Sequence, residues 1–392
     1  MFLIQATCFL VLYLKSGNDN KYLVFYGMEA ALLLGTLILN NLVYKRCSKL
    51  LLNNMCFLLM TGLMYLTRID TELAGKQLGI AFVSLAIGFV VPVIIKNAGF
   101  FRRWGYVFGI LGFGLIASVF VLGKTEYGAT NWISIGPIGL QPSELAKILF
   151  VFFIAAMIYK RQDLKYLLSV SLMAGLYVVV LVLEKDLGAA LIFYVTYIVM
   201  LYVATKRARW LAAGGVVLAG ASVAAYGLFA HVRTRIVAWL DPWSHYENEG
   251  YQICQSLFAI STGGWFGVGL MNGMPYLIPV VVSDFILSAI IEEMGLFFAI
   301  CLILVYISSF IMFISISLKL SDPFYKLLAT GLSTAYGFQT FLTVGGVTKM
   351  IPHTGVTLPL ISYGGSSILS TIIIFYVIQG LYLLNVKGGS GK

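Results

Sequence analysis

The chain has 392 residues, of which 60% are hydrophobic and only 11% charged, with 26 Lys and Arg against 16 Asp and Glu for a net charge of +10. A soluble domain carries about 25% charged residues, so this composition excludes a water-solvated particle of this size and points to a bilayer as solvent. The basic excess then belongs to loops on one side of a membrane and not to a nucleic-acid surface.

Apolar runs long enough to cross roughly 30 Å of hydrocarbon predict spans at 2–15, 22–44, 51–67, 77–95, 104–122, 143–159, 165–183, 187–204, 210–230, 284–311, 324–344 and 358–385. The fold expected is an all-α, polytopic helical bundle of about twelve transmembrane helices. The first run is short. No Lys or Arg precedes it and no small-residue cleavage site follows, so it reads as a span and not as a signal peptide. With a cytoplasmic N-terminus, sixteen Lys and Arg fall in the inside segments and nine outside. Each inside loop is short and carries at least two cations, which places both termini in the cytoplasm. Two outside loops are long, 123–142 and 231–283. The second has room for extramembrane structure and holds Arg233, Arg235, Asp241, Glu247 and Glu249. Loops longer than about 12–15 residues tend to be functional. The glycine-rich end at 388–392 reads as a flexible tail. The five cysteines and three histidines are scattered, so neither a disulfide framework nor a metal site is expected.

Charges within or beside the spans narrow the functional search. Glu144 and Lys147 lie three apart at the start of the sixth span, on one helical face. They form either a neutralised pair that stabilises the bundle or part of a site lining, since charge in a bilayer is costly and faces a partner or a cavity. Pro142 and Ser143 fit a helix start, with Gln141 or Ser143 near the cap. Asp284 opens the tenth span, where it is either a helix N-cap or a site residue. At about 100° per residue Glu292 falls toward the face of Asp284, and Glu293 opposite. Glu184, Lys185 and Asp186, taken alone, read as a solvated turn. The string Gly263-Gly264-Trp265-Phe266-Gly267-Val268-Gly269 lacks a preceding strand and the Lys-Ser/Thr ending of a phosphate loop, so close backbone packing is expected of it.

Several segments together resemble one family. They are Gly128-Ala129-Thr130-Asn131-Trp132-Ile133 with Gln141-Pro142-Ser143-Glu144-Leu145-Ala146-Lys147; Asp186-Leu187-Gly188; Arg235 with Leu240-Asp241-Pro242, Gly250-Tyr251-Gln252, Gln255-Ser256 and Gly263-Gly264; Asp284-Phe285-Ile286 with Glu292-Glu293-Met294-Gly295; and Pro352-His353-Thr354-Gly355 with Leu358-Pro359 and Ser362-Tyr363-Gly364-Gly365-Ser366-Ser367. In this order the set resembles the SEDS family (RodA/FtsW/SpoVE) over about residues 51–385. The resemblance implies a ten-helix core at 47–387, with 1–46 as two added helices. The chain departs from the family pattern at Val268, where a Lys is usual, at Pro279-Val280-Val281-Val282-Ser283, and at Glu184-Lys185, where Gln-Pro is usual.

The resemblance implies an inverting glycosyltransferase that polymerises lipid II on the outer face of the bacterial cytoplasmic membrane, in elongation, division or sporulation. The terminal sugar hydroxyl of one undecaprenyl-pyrophosphate-linked glycan attacks the anomeric carbon of another. Asp284 is the implied general base. Glu144 and Lys147 match a cavity pair, and Asp186, Arg235 and Ser366 fall in family motifs. Lys349 and Arg233 join the site by topology alone, as cations able to meet pyrophosphate with or without a divalent cation. A single base without a second carboxylate nucleophile suits inversion. The implied partners are a class B penicillin-binding protein, which is a transpeptidase, and membrane lipids, with no nucleic acid. The competing readings are a flippase or transporter of lipid-linked precursors without polymerase activity, and a scaffold for wall-synthesis proteins.

Overall fold

The computed structural model describes residues 1–96, 101–126, 129–135 and 138–389. The chain runs through α1 (Phe2–Lys15), α2 (Lys21–Val43), α3 (Lys49–Ile69), α4 (Thr71–Lys96), α5 (Gly105–Ala117) and the short α6 (Val119–Leu122). Three strands follow, β1 (Lys124–Glu126), β2 (Ala129–Ile135) and β3 (Ile138–Leu140). The chain continues with α7 (Pro142–Ile158), α8 (Leu164–Leu183), α9 (Leu187–Thr205), α10 (Arg209–Leu228), α11 (Ala230–Leu240) and α12 (Tyr251–Gly263), then α13 (Ile286–Lys319), α14 (Pro323–Val347) and α15 (Gly365–Gly389). Gly128, quoted in the first motif, and residues 390–392 of the glycine-rich end lie outside the described residues.

Among the described residues, nine helices are long and apolar enough to cross a membrane. Helices α1 and α7, at 14 and 17 residues, are shorter, and α14 is rich in Gly, Ser and Thr. An expectation of twelve spans needs these three as well. Large apolar side chains point outward along the spans, such as Leu172, Val216 and Val223 at 69%, 74% and 75% exposure. Such a surface is stable only against lipid. The protein is an all-α, multi-pass membrane protein.

Two compact units divide the chain: Met1–Leu85 with Ala224–Ser309 and Gln339–Gly364, and Ala86–Val223 with Phe310–Phe338 and Gly365–Lys392. In the first unit α3 is buried along most of its length, and α1 and α2 pack on it. Its polar side chains pair across helices. Glu29 of α2, fully buried, accepts from Gln5 Nε2 at 3.2 Å and Thr67 Oγ1 at 3.1 Å. In the second unit α7 packs against α5, α8, α9 and α15 and is buried along almost its whole length. Its Phe150 ring meets Tyr177 of α8 and Phe193 of α9 at 5.0 and 4.9 Å. Pro142 at N1 starts α7, with Gln141 at the N-cap.

Three segments depart from the sequence expectation. The 123–142 loop contains an antiparallel three-stranded sheet in the order β1-β2-β3, with Ile133 opposite Leu140 and Ser134 opposite Gly139. The span expected at 358–385 begins as helix only at Gly365. The third departure is the span expected at 284–311. Helix α13 starts at Ile286 and is broken at Gly295, which adopts φ 82° and ψ 166°, a region open to glycine. The break frees backbone groups that the Gly263–Gly269 segment takes up. Val268 and Gly269 donate to the carbonyls of Glu292 and Glu293 at 2.9 and 3.0 Å, and Leu296 and Phe297 donate to Gly264 and Trp265 at 2.9 and 3.1 Å. A Cβ at Gly263 or Gly267 would collide with the backbone of Ile291 or Glu293, so the glycine string does pack backbone on backbone.

Candidate active site

Asp284 lies two residues ahead of α13, and its carboxylate turns toward His353 instead of capping that helix as a free end. His353 Nε2 and Asp284 Oδ2 are 3.3 Å apart, with side-chain exposures of 12% and 22%. The imidazole stacks on Phe285, with centroids 4.5 Å apart and planes 26° apart. Arg235 of α11 donates to the Thr354 carbonyl at 2.9 Å, and one turn later Trp239 Nε1 donates to the Lys349 carbonyl at 3.0 Å. These two bonds fix the same face of α11 to the 349–355 segment. Gly355, at φ +72°, would place a Cβ 3.5 Å from Arg235 Nη2 and 3.6 Å from Asp284 Oδ2. A carboxylate, an imidazole and a guanidinium thus converge where the chain carries no side chain. Burial pushes the Asp284 carboxyl up. The hydrogen bond and charge of His353, the Ser283 hydroxyl and the Arg235 charge outweigh it and hold the group below the ordinary aspartate range. The group is therefore ionised near neutral pH and able to accept a proton.

His353 was not singled out by the sequence as a site residue. It lies 69 residues from Asp284 with no periodic relation to it, and its only signal is membership of the Pro352–Gly355 motif. Glu292 and Glu293 are both buried, but neither helical face decides their partners. Glu292 accepts from the Met274 amide at 3.1 Å. Glu293 binds Arg68 at 2.8 Å and accepts from the Met271 and Gly273 amides at 3.1 and 3.3 Å. The reason is the break at Gly295: the segment wrapped around it presents amides to both carboxylates. Lys349 is half-buried in the left-handed region at φ 57°. The Asp241 carboxyl is held below the ordinary range chiefly by Ser244, with His245 and Lys349 adding to it. Arg233 is exposed.

The second unit holds the other expected residues in two buried or half-buried polar clusters, one at Glu144 and one at Asp186. Glu144 and Lys147 are 6% and 3% exposed, and Lys147 Nζ donates to Glu144 Oε2 at 2.9 Å. Ser370 of α15 donates to the same oxygen at 2.5 Å. Asp186 is the N-cap of α9, accepting from the Ala189 amide at 3.0 Å. Its other oxygen accepts from Asn131 of β2 at 3.2 Å, Gln141 at 3.0 Å and Ser143 at 3.2 Å. Ser366 accepts from the Gln141 amide at 2.9 Å. The expectation of a solvated turn at Glu184-Lys185-Asp186 is therefore corrected. Only Lys185 is exposed, while Glu184 and Asp186 are 1% and 6% exposed. Burial, and then the charge of Asp186, push the Glu184 carboxyl up to about 8. The strand and helix start that supply the donors to Asp186 lie 55 and 45 residues away, so no local pattern announces them. Among the described residues no group of three His, Cys, Asp or Glu side chains is placed to hold a metal ion.

These features define a multi-pass membrane protein whose buried and half-buried ionisable residues include the pairs Arg68–Glu293, Glu144–Lys147 and Asp284–His353. The family model for FtsW/RodA/SpoVE cell cycle proteins matches residues 42–383. The peptidoglycan glycosyltransferase RodA of Mycobacterium tuberculosis is 37% identical over 324 residues, covering 78% of this chain and 69% of the relative. A probable peptidoglycan glycosyltransferase FtsW of Geobacter sp. strain M18 is 33% identical over 297 residues, covering 73% and 81%. In fold, the chain is similar to a member of a peptidoglycan synthase complex that coordinates polymerization and crosslinking, with a TM-score of 0.73 at 24% identity over 87% of this chain and 98% of that one. It is also similar to the rod shape determining protein RodA of Thermus thermophilus, with a TM-score of 0.65 at 23% identity over 86% and 97%. The chain belongs to the FtsW/RodA/SpoVE family. Helix α1 and nearly all of α2 precede the matched residues.

Proposed function

We propose that this protein is a peptidoglycan glycosyltransferase that polymerises lipid II, with Asp284 as its general base. The observation that carries the assignment of the base is the convergence of Asp284, His353 and Arg235 on the bare turn at Gly355. The sugar hydroxyl attacks the anomeric carbon of the neighbouring lipid-linked glycan from the face opposite the pyrophosphate. A carbon–oxygen bond forms as the bond to the pyrophosphate oxygen breaks. Its electron pair leaves on undecaprenyl pyrophosphate, the hydroxyl proton passes to Asp284, and the configuration inverts. His353 holds the carboxylate in place. Arg235, joined by Lys349, meets the negative charge that grows on the leaving group.

In the same reading Glu144, Lys147, Asp186 and Ser366 belong to the substrate-binding machinery, as their motifs imply, and Glu292 supports the 271–274 turn. Residues 231–283 face outside, both termini are cytoplasmic, and the membrane is the bacterial cytoplasmic membrane. The first two helices are an addition to a ten-helix core that runs from 47 to 387. A class B penicillin-binding protein crosslinks the strands as they emerge. The test is polymerisation of fluorescent lipid II by the purified full-length chain. Glycan ladders that lysozyme digests are expected. Movement of lipid II across vesicle membranes with no polymer formed would replace this reading by the transporter one.

A further inference from the structure

Gln77 sits on α4, outside every motif that carries the family resemblance, and is 1% exposed. An amide buried this far from water must find partners, and both of its ends find backbone. Gln77 Nε2 donates to the Ser362 carbonyl at 2.9 Å, and the Gly364 amide donates to Gln77 Oε1 at 3.2 Å. The side chain thus brackets residue 363 much as a neighbouring strand would. From the bracketed turn two bonds run to the residues just before Asp284. The Tyr363 amide donates to the Val282 carbonyl at 2.8 Å. The Ser362 hydroxyl donates to the Ser283 carbonyl while accepting from the Leu358 amide at 2.9 Å. The Ser283 carbonyl belongs to the peptide unit that includes the Asp284 nitrogen, and a planar peptide unit moves as one piece.

We infer that Gln77 is a positioning residue for glycosyl transfer, acting through the 362–364 turn on the 282–284 backbone and so on the Asp284 carboxylate. The inference rests on the reading of Asp284 as the base. It follows from the chain of contacts: the carboxylate is aimed at its far end by His353 and at its root by the 282–283 carbonyls. The root is tied through 362–364 to an amide on α4, within the same compact unit. Proton transfer demands hydrogen-bond reach between base and hydroxyl. A misplacement of about 1 Å costs on the order of 100-fold in rate.

The experiment is steady-state polymerisation of lipid II by the purified full chain, with kcat and KM separated. The variants are Gln77→Leu, Gln77→Glu, Ser362→Ala, the double variant Gln77→Leu/Ser362→Ala, and Asp284→Asn. Folding is followed by thermal unfolding. Gln77→Glu keeps the acceptor for Gly364 and loses the donor to Ser362, so it carries the test should Gln77→Leu not fold. The expected result is a fall in kcat of about 10- to 100-fold for the folded Gln77 variants, with KM within about twofold. The double variant should lose little more than the worse single one, because both act along one path. A folded Gln77 variant with wild-type kcat, or losses that multiply in the double variant, would overturn the inference. Asp284→Asn separates the two levels. If it is inactive while the Gln77 variants run at wild-type kcat, only the positioning role fails. If it is itself active, the base assignment fails and the positioning role with it.

Discussion

Replacing Asp284 by Asn tests the chemistry with little change of shape. In the structure the carboxylate binds His353 at 3.3 Å, and an amide oxygen can still accept from Nε2. What changes there is one charge-assisted bond for a neutral one. Bonds to charged groups contribute about 1.5–3 kcal/mol and neutral ones about 0.5–1.5, so the structural cost is near 1 kcal/mol. Loss of a positioned base typically costs about 10²- to 10⁴-fold in rate. At about 1.36 kcal/mol per tenfold that is roughly 2.7–5.4 kcal/mol of barrier. The chemical effect therefore exceeds the structural one and is readable in a protein that still folds. The assay is the initial rate of glycan formation from labelled lipid II, with thermal unfolding and lipid II binding measured on the same preparation. Binding is expected to persist, since the carboxylate is not the group that meets pyrophosphate. A variant running above about a tenth of the wild-type rate, outside the expected loss, would refute Asp284 as base and move the role to Glu292 or Glu144.

Because Asp284 is held below the ordinary aspartate range, the acid limb of kcat/KM should lie below that range, with activity lost as pH falls through it. His353→Ala removes a lowering influence and leaves burial, so the limb should move to higher pH; a pH–rate profile that stays in place would remove His353 from the site. At the Glu144–Lys147 pair, whose side chains are 8% and 4% exposed, Lys147→Met alone should cost about 3–5 kcal/mol. The double variant with Glu144→Gln should cost less, and equal losses in denaturant unfolding would contradict a buried, mutually compensating pair. A Cys introduced at Lys206 should escape an impermeant thiol reagent in intact cells, and its modification would reverse the topology. Co-purification with a class B penicillin-binding protein is expected, and failure with each one in the cell would favour independent action.

Nine of the twelve expected spans are legible because bilayer crossing writes long apolar runs into local sequence, and the orientation of Glu144 toward Lys147 because i,i+3 spacing is local too. Asp284 stood out as an acid at a helix mouth. What stayed hidden was long-range. His353, Ser370 and Gln77 meet their partners across 69, 226 and 285 residues, and no periodicity connects such positions. The burial of Glu184 and Asp186 is hidden for the same reason. Three charged residues in a short connection look solvated until Asn131, Gln141 and Ser143 are seen to fold over Asp186. Strands β1, β2 and β3 leave little trace in the sequence because they are short and lie among polar residues. The break in α13 was hidden because a glycine in an apolar helix gives no sign by itself that the helix stops there.

That break bears on how the protein is assembled. Gly295 can adopt helical dihedrals, and in hydrocarbon each unsatisfied backbone group costs several kcal/mol. When α13 first enters the bilayer, its cheapest state is an unbroken rod with every carbonyl served by its own ladder. The bend becomes affordable only once the amides of Val268 and Gly269 and the carbonyls of Gly264 and Trp265 are alongside. Those groups are made earlier in synthesis, 24 to 32 residues before their partners. The bent helix thus exchanges local bonds for bonds to a segment that precedes it in the chain, and the arrangement around the 263–274 segment is complete only where that exchange is made.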